Sequence, residues 1–481
     1  MAGSLTSVSR VTTTATRAGA RPDRGTRRDL LAVGAVGALV AVAAGVGWLL
    51  IDFSVGPNGR GPYTGWPPLW AQWAPHVGPG TVPALALAAL VVVKGPEWAA
   101  RLSWKRLLWV AYATAAGWIF FLALVDGWGD GIQGRLERQP EYLSAVPKIR
   151  DIGAFLAHFT DGIVAGPHQW TEHVAGHPPG VTLIFVLLQR VGLGGGGIAG
   201  LLCIFAGASA CIAVAVTLRA LGAEKVARTA LPFGVLFPGA IWMGVSADAI
   251  FAAVVAWGVA AFAVGAVGRG RWREVYSLGG GLLLGYGLYL SYGLVLAGVV
   301  PLAVALITRR IRPLLIAGLG VVAVVVAFSA TGFLWWQGIA LVHVRYYQGI
   351  ATMRPYWYWV WANFAALALV IGPATVAGLR RVRLSRGSTF AQLKPPPLLQ
   401  SESDCNDRMG AAVVLAGAAV LAVVLADLSG LSKAEVERIW LPFAVWIVPV
   451  CAALPVRKTR WWLAAQAGLA LAVNHLLATG W

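Results

Sequence analysis

The chain has 481 residues, of which 58% are hydrophobic and only 12% charged, with a formal net charge of +18. Soluble domains carry about twice that charge fraction, so a water-soluble globular protein is excluded. The mean hydropathy of +0.71 comes from continuous apolar runs of roughly 18 to 23 residues, which define membrane helices and exclude an alternating β-barrel. The positive charge does not point to nucleic acid, because Arg and Lys sit in short clusters between apolar runs, as the positive-inside rule expects. The four cysteines give no disulfide framework: Cys203, Cys211 and Cys451 lie in apolar runs and Cys405 in a basic loop.

Residues 1–29 are basic and Ser/Thr-rich, a composition that predicts a disordered cytoplasmic tail. The run at 30–51 is too long for a signal-peptide core and lacks a small-x-small cleavage site, so it is expected to remain as the first span. A tryptophan-rich external loop follows, then a second span near 82–94 that returns to the basic patch KGPEWAARLSWKR. Residues 30–106 thus read as two N-terminal spans. A third span near 107–125 delivers Asp126 to the outer face and opens the core, 107–455. Its first loop, 126–178, collects six carboxylates after Asp126 and four of the seven histidines. A polar stretch of this length between spans is a place for chemistry.

Basic clusters at 269–274, 309–312, 380–386 and 457–460 are expected inside, which puts outer turns at 246–248, 291–293, 337–357 and 432–438. Residues 379–410 read as a polar, proline-containing cytoplasmic linker, and 456–481 as the C-terminal span. The stretch 179–220 breaks parity. Either one of its two apolar halves does not span, or Arg219, Lys225 and Arg228 are not cytoplasmic. The total comes to about 12 to 14 spans in an all-α bundle.

Within the first loop, Asp126 is the first acid after a span, followed by Asp130, Glu137 and Glu141; a carboxylate held here could take the proton of an acceptor hydroxyl as a sugar is transferred to it. EYLSAVPKIRDIGAFLAHF has helical spacing and predicts one or two interfacial helices. HPPG (177–180) opens the next span with prolines where the first helical N–H groups need no partner, leaving His177 at its mouth. His168, His173 and His177 with Glu172 match no standard zinc spacing, so no metal is expected. Asp248 stands in an otherwise apolar hairpin, where a carboxylate is costly. Residues 343–363 set Arg345 and Arg354 among aromatics that include Tyr356. That pattern suits an interfacial belt, or a pocket that stacks a sugar and pairs a phosphate. At 432–443, SKAEVERIWLPF crowds Lys433, Glu435, Glu437 and Arg438 into a short turn. An arginine entering lipid needs an anion, either one of these glutamates or a substrate phosphate.

In their order and common sidedness these anchors resemble the GT-C superfamily of polytopic glycosyltransferases. They are nearest to the protein-O-mannosyltransferase and aminoarabinose-transferase type, and to actinobacterial members that build cell-envelope glycans. The resemblance rests on Glu141-Tyr142 in a large outer loop, HPPG downstream, SADAIF after a proline-containing hairpin, and EVERIWLPF entering a late span. It implies a bundle in the plasma membrane, N-terminus inside and active site outside. It also implies inverting transfer of a mannose- or arabinose-like sugar from a polyprenyl-phosphate donor to a glycan, lipid or protein hydroxyl, with no cofactor. In that scheme a first-loop carboxylate is the base, Arg438 with Arg345 or Arg354 holds the leaving phosphate, and Asp248 orients the base, the acceptor or a basic partner. Tyr142, His177, Tyr356, Glu435 and Glu437 complete the substrate-facing set.

Two departures stand out. No Asp–Glu pair precedes Tyr142, so the base stays open among Glu141, Asp130 and Asp126, and Tyr292 stands where the family's hairpin lysine is expected. The alternative is a multi-span transporter or lipid-linked-sugar flippase. LGGGG (193–197) and isolated polar residues within spans fit broken-helix transporters, whereas the gathering of polar groups at one face favours the transferase.

Overall fold

The computed structural model describes residues 24–53, 61, 63–382 and 409–480. The basic tail up to residue 23 and the linker from 383 to 408 lie outside the described residues. Eight helices among those described are long and apolar enough to cross a membrane. They are Arg24–Phe53, Thr81–Arg101, Trp104–Ala123, Gly196–Ala220, Asp248–Val267, Ile311–Ala330, Tyr356–Arg381 and Met409–Leu428. The two strands among the described residues, Ala71–Trp73 and Leu477–Thr479, pair antiparallel with Gln72 opposite Ala478. The chain is an all-α, multi-pass membrane protein.

The basic clusters gather at one end of this bundle. Arg228 donates to the carbonyls of Ala99 and Leu102 at 3.1 and 2.9 Å, and Arg219 lies 4.7 Å over the Trp104 ring. Arg310 donates to Ala266 O at 2.9 Å, and Arg312 pairs with Glu274. Asp29, fully buried at the start of the first helix, takes Arg380 and Arg381 from the end of Tyr356–Arg381. The opposite end carries the long loop, the strand pair and the 432–438 turn.

Parity is resolved by a segment that does not cross. The Gly196 amide donates to Glu137 Oε1 at 2.8 Å, so the Gly196–Ala220 helix begins at the loop end. Pro179–Arg190 therefore starts and finishes at that end, and its 12 residues span only about 18 Å, short of a bilayer core of roughly 30 Å. The turn after it runs from Gly192 into LGGGG: Gly192 and Gly195 adopt φ of +79° and +93°, left-handed values that favour glycine.

Helices long and apolar enough to cross number eight among the described residues, or nine if one bent pair counts as a single span, against the roughly 12 to 14 expected, because several apolar runs break into shorter helices. Residues 224–243 are interrupted around Pro238 into Glu224–Val235 and Ala240–Met243. Residues 292–308 combine a 3₁₀ segment with a short helix, and Leu441–Ala453 meets Val456–Leu476 at 114°. Other local expectations also shift. The amphipathic stretch after Glu141 forms 3₁₀ turns and the six-residue helix Ile152–Ala157, N-capped by Asp151 through Ala154 N at 3.0 Å. The expected outer turn at 337–357 holds the helix Trp335–Gln348, which stays at the loop end.

Small residues let the central helices approach closely, as packing in lipid requires. The helix Gly270–Leu288 lies between Asp248–Val267 and Ile311–Ala330. A Cβ on Gly281 would collide with the Ala317 carbonyl of Ile311–Ala330.

Candidate functional site

The long loop, the Asp248 helix and the 432–438 turn meet in one polar cluster. Its floor is deep: Gly207, midway along Gly196–Ala220, packs against Ala249 and Met243, so Asp248 starts its helix well below the rim.

Glu141 caps the first 3₁₀ turn, with its amide bonded to Arg138 O at 2.9 Å. The His173 amide donates to Pro140 O at 3.0 Å, which sets the Glu172–Gly176 turn beside it. His173 Nδ1 then lies 3.0 Å from Glu141 Oε1, and His173 Nε2 lies 3.0 Å from Arg438 Nη2. A guanidinium only donates, so Nε2 must accept and Nδ1 must carry the proton that faces Glu141. The imidazole thus bridges the acid and the arginine. Burial by itself would raise the Glu141 carboxyl, yet the adjoining His173 and the charge of the Arg438 guanidinium bring it below the ordinary carboxylate value.

Arg438 is the hub. Its Nη1 donates to Asp248 Oδ2 at 2.8 Å and its Nη2 to Glu435 Oε2 at 3.2 Å. Burial disfavours the charged guanidinium, but Asp248, Glu435 and Glu141 more than reverse this and raise its pKa. The anion required by this arginine is thus met by Asp248 and Glu435. Glu435 Oε1 in turn accepts both Nη atoms of Arg354, each at 3.1 Å. Arg354 also donates to the carbonyls of Lys433 and Tyr63, at 2.8 and 3.3 Å, and lies 5.1 Å over the Trp70 ring.

Around this line sit neutral groups. The Tyr142 ring stacks on His173 with centroids 5.9 Å apart, and its hydroxyl is 3.1 Å from His177 Nδ1. His177 Nδ1 faces the His173 carbonyl at 2.9 Å, and burial lowers its pKa to about 4, so it stays neutral. His177 therefore turns inward to brace the turn instead of lining the mouth. The Gly180 amide donates to Tyr289 O at 2.9 Å, too close for any Cβ, which explains the glycine of HPPG. Glu437 is fully buried, and its Oε1 accepts the Trp70 amide at 2.9 Å while Oε2 has no hydrogen-bond partner among the described residues. Burial pushes its pKa up to about 7.

The structure brings together Glu141, Tyr142, His177, Asp248, Arg354, Glu435, Glu437 and Arg438, and leaves four expected residues elsewhere. Asp130 is exposed in a π-helical turn. Asp126 belongs to a separate cluster, pairing with Arg135 and with His76 Nε2 at 2.8 Å, while Arg135 reaches Thr479 O at 2.8 Å. The two aspartates end the third helix, and the tight π turn carries the chain away before Glu141 is reached. Arg345 lies at the rim on Gln169 at 3.2 Å, and the exposed Tyr356 donates to Leu428 O at 3.3 Å. Sequence reasoning missed His173 as the link between acid and arginine. Its spacing of four from His177, one helical turn, was the available signal.

Among the described residues, no group of three or more His, Cys, Asp and Glu is arranged to hold a metal ion. The chain matches no protein-family model and no curated protein.

Proposed function

We propose that this protein is a membrane glycosyltransferase that moves a sugar from a polyprenyl-phosphate donor to an acceptor hydroxyl, with Glu141 as the base. The observation that carries the reading is the Glu141–His173–Arg438 line, in which a partly buried, ionised carboxylate and two buried arginines share one sunken cluster. Glu141 takes the acceptor's proton as the acceptor oxygen bonds to the anomeric carbon. The bond from that carbon to the phosphate oxygen breaks on the far side, so the configuration inverts and the lipid phosphate leaves with the electron pair. Arg438 and Arg354 stabilise the charge that develops on the leaving phosphate. Asp248 holds Arg438, and His173 holds Glu141. The reading puts the protein in the plasma membrane with its basic end, N-terminus included, in the cytoplasm.

Purified full chain assayed with a radiolabelled polyprenyl-phosphate sugar tests the base. Glu141→Gln is expected to lower the rate by about 10²–10⁴-fold, while Asp130→Asn leaves it within about twofold, the surface position being remote from the cluster. Equal losses in both variants would remove Glu141 from the role.

A further inference from the structure

We infer that Glu435 is a built-in occupant of an anion seat formed by Arg354 and Arg438, and that a phosphate monoester displaces it. This extends the phosphate-holding part of the proposed function and does not depend on the transfer step.

Three observations distinguish Glu435 from a permanent ion-pair partner. Its contacts are slack: 3.1 Å to each Arg354 Nη and 3.2 Å to Arg438, against 2.8 Å between Arg438 and Asp248. Charge-assisted N–H···O bonds ordinarily run about 2.7–2.9 Å. It is also the accessible member, with its side chain 19% exposed against 3% for Arg354 and 7% for Arg438. Finally, Ala434 and Glu435 both adopt left-handed backbone, φ +69° and +63°, a conformation that is strained for any residue with a Cβ. The turn is strained to aim a carboxylate between two guanidiniums.

The seat survives without its occupant. When the Glu435 side chain swings out, Arg438 keeps Asp248 and His173, and Arg354 keeps two carbonyls and the Trp70 ring. Their Nη groups then face a space that a carboxylate filled with one negative charge and two oxygens. A phosphate monoester brings up to two charges and three oxygens to the same donors, and guanidinium geometry favours it. A seat that is competent only when Glu435 is out binds with an affinity reduced by that fraction.

The test uses the full chain in lipid nanodiscs, with a polyprenyl phosphate, inorganic phosphate and phosphatidylglycerol as probes, read by Kd and by ligand-induced change in Tm. Glu435→Gln is expected to lower Tm without ligand yet bind a phosphate monoester about tenfold tighter, if Glu435 fills the seat about nine-tenths of the time. Glu435→Asp, too short to bridge both arginines, is expected to show a smaller gain and keeps the test open should Gln impair folding. Arg354→Ala is expected to abolish the gain. A gain for the polyprenyl phosphate assigns the seat to a lipid-borne phosphate, and a gain for inorganic phosphate alone assigns it to a soluble one. Unchanged or weaker monoester binding in both Glu435 variants overturns the inference, as does an equal gain for the diester phosphatidylglycerol. Tighter binding without sugar transfer would leave the seat standing and remove the transferase reading. Glu141-dependent transfer without tighter binding would do the reverse.

Discussion

Glu437 and Glu141 occupy one cluster, yet burial and charge move their carboxyls in opposite directions. At Glu437 burial dominates, raising the pKa from 4.5 to about 7. The sign of the stability effect follows. Below 4.5 both folded and unfolded chains hold the proton, and the contribution is complete. As pH rises from there through about 7, the unfolded chain releases its proton first and stability falls. Glu437→Gln keeps an oxygen for the Trp70 amide and cannot ionise, so its Tm is expected to exceed that of the parent at pH 8 by several degrees and to match it near pH 4. Thermal unfolding across that range checks this, and an unchanged slope in the variant would contradict it. At this scale the sequence was informative about residue type more than partnership. Glu141, Asp248 and Arg438 stand out as charges beside apolar runs, but which anion Arg438 takes depends on a contact between residues 190 positions apart. No local pattern encodes that distance. Asp126 and Asp130 look equivalent to Glu141 in the sequence, and only the π turn at Gly129–Gln133 separates them.

Helix existence was legible where apolar runs are long and uninterrupted, as at Asp248–Val267 and Ile311–Ala330. It was poorly legible where prolines and glycines break a crossing, because hydropathy averages across the break. The amphipathic stretch after Glu141 shows a related limit: its spacing is helical, but Pro147 and the Asp151 cap divide it into pieces too short for one interfacial helix. The central packing also depends on glycines whose roles hydropathy does not reveal. Gly281 touches the Ala317 backbone, whereas nothing lies within 4 Å of where a Gly279 Cβ would be. Gly281→Ala is therefore expected to separate Gly270–Leu288 from Ile311–Ala330 and lower Tm in detergent by several degrees. Gly279→Ala, on the same helix, is expected to be neutral or to stabilise by about 0.5–1 kcal/mol. Similar losses in both would mean that helix propensity, not close approach, governs this contact.

For the whole molecule, the positive-inside pattern correctly grouped the basic clusters at one end, because charge is a local property that the bilayer sorts. It left 179–220 undecided, since only long-range contacts such as Glu137–Gly196 and Arg190–Arg150 reveal that Pro179–Arg190 returns to the end where it began. The two ends can be assigned to compartments directly. In a cysteine-free background, Arg345→Cys in sealed cells is expected to react with an impermeant maleimide, while Lys458→Cys reacts only after permeabilisation. Both labelling from the same side would break the topology.

Sugar transfer at the cluster of Glu141, His173 and Arg438 is the central expectation. The most direct measurement supplies proteoliposomes holding the full chain with a radiolabelled polyprenyl-phosphate mannose or arabinose and a hydroxyl acceptor, and follows the label. The expected result is a new glycosidic bond of inverted anomeric configuration, with one polyprenyl phosphate released per bond and loss of both in Glu141→Gln. Label that crosses the bilayer still attached to its lipid, with no new bond formed by folded protein, would contradict the account and identify a transporter instead.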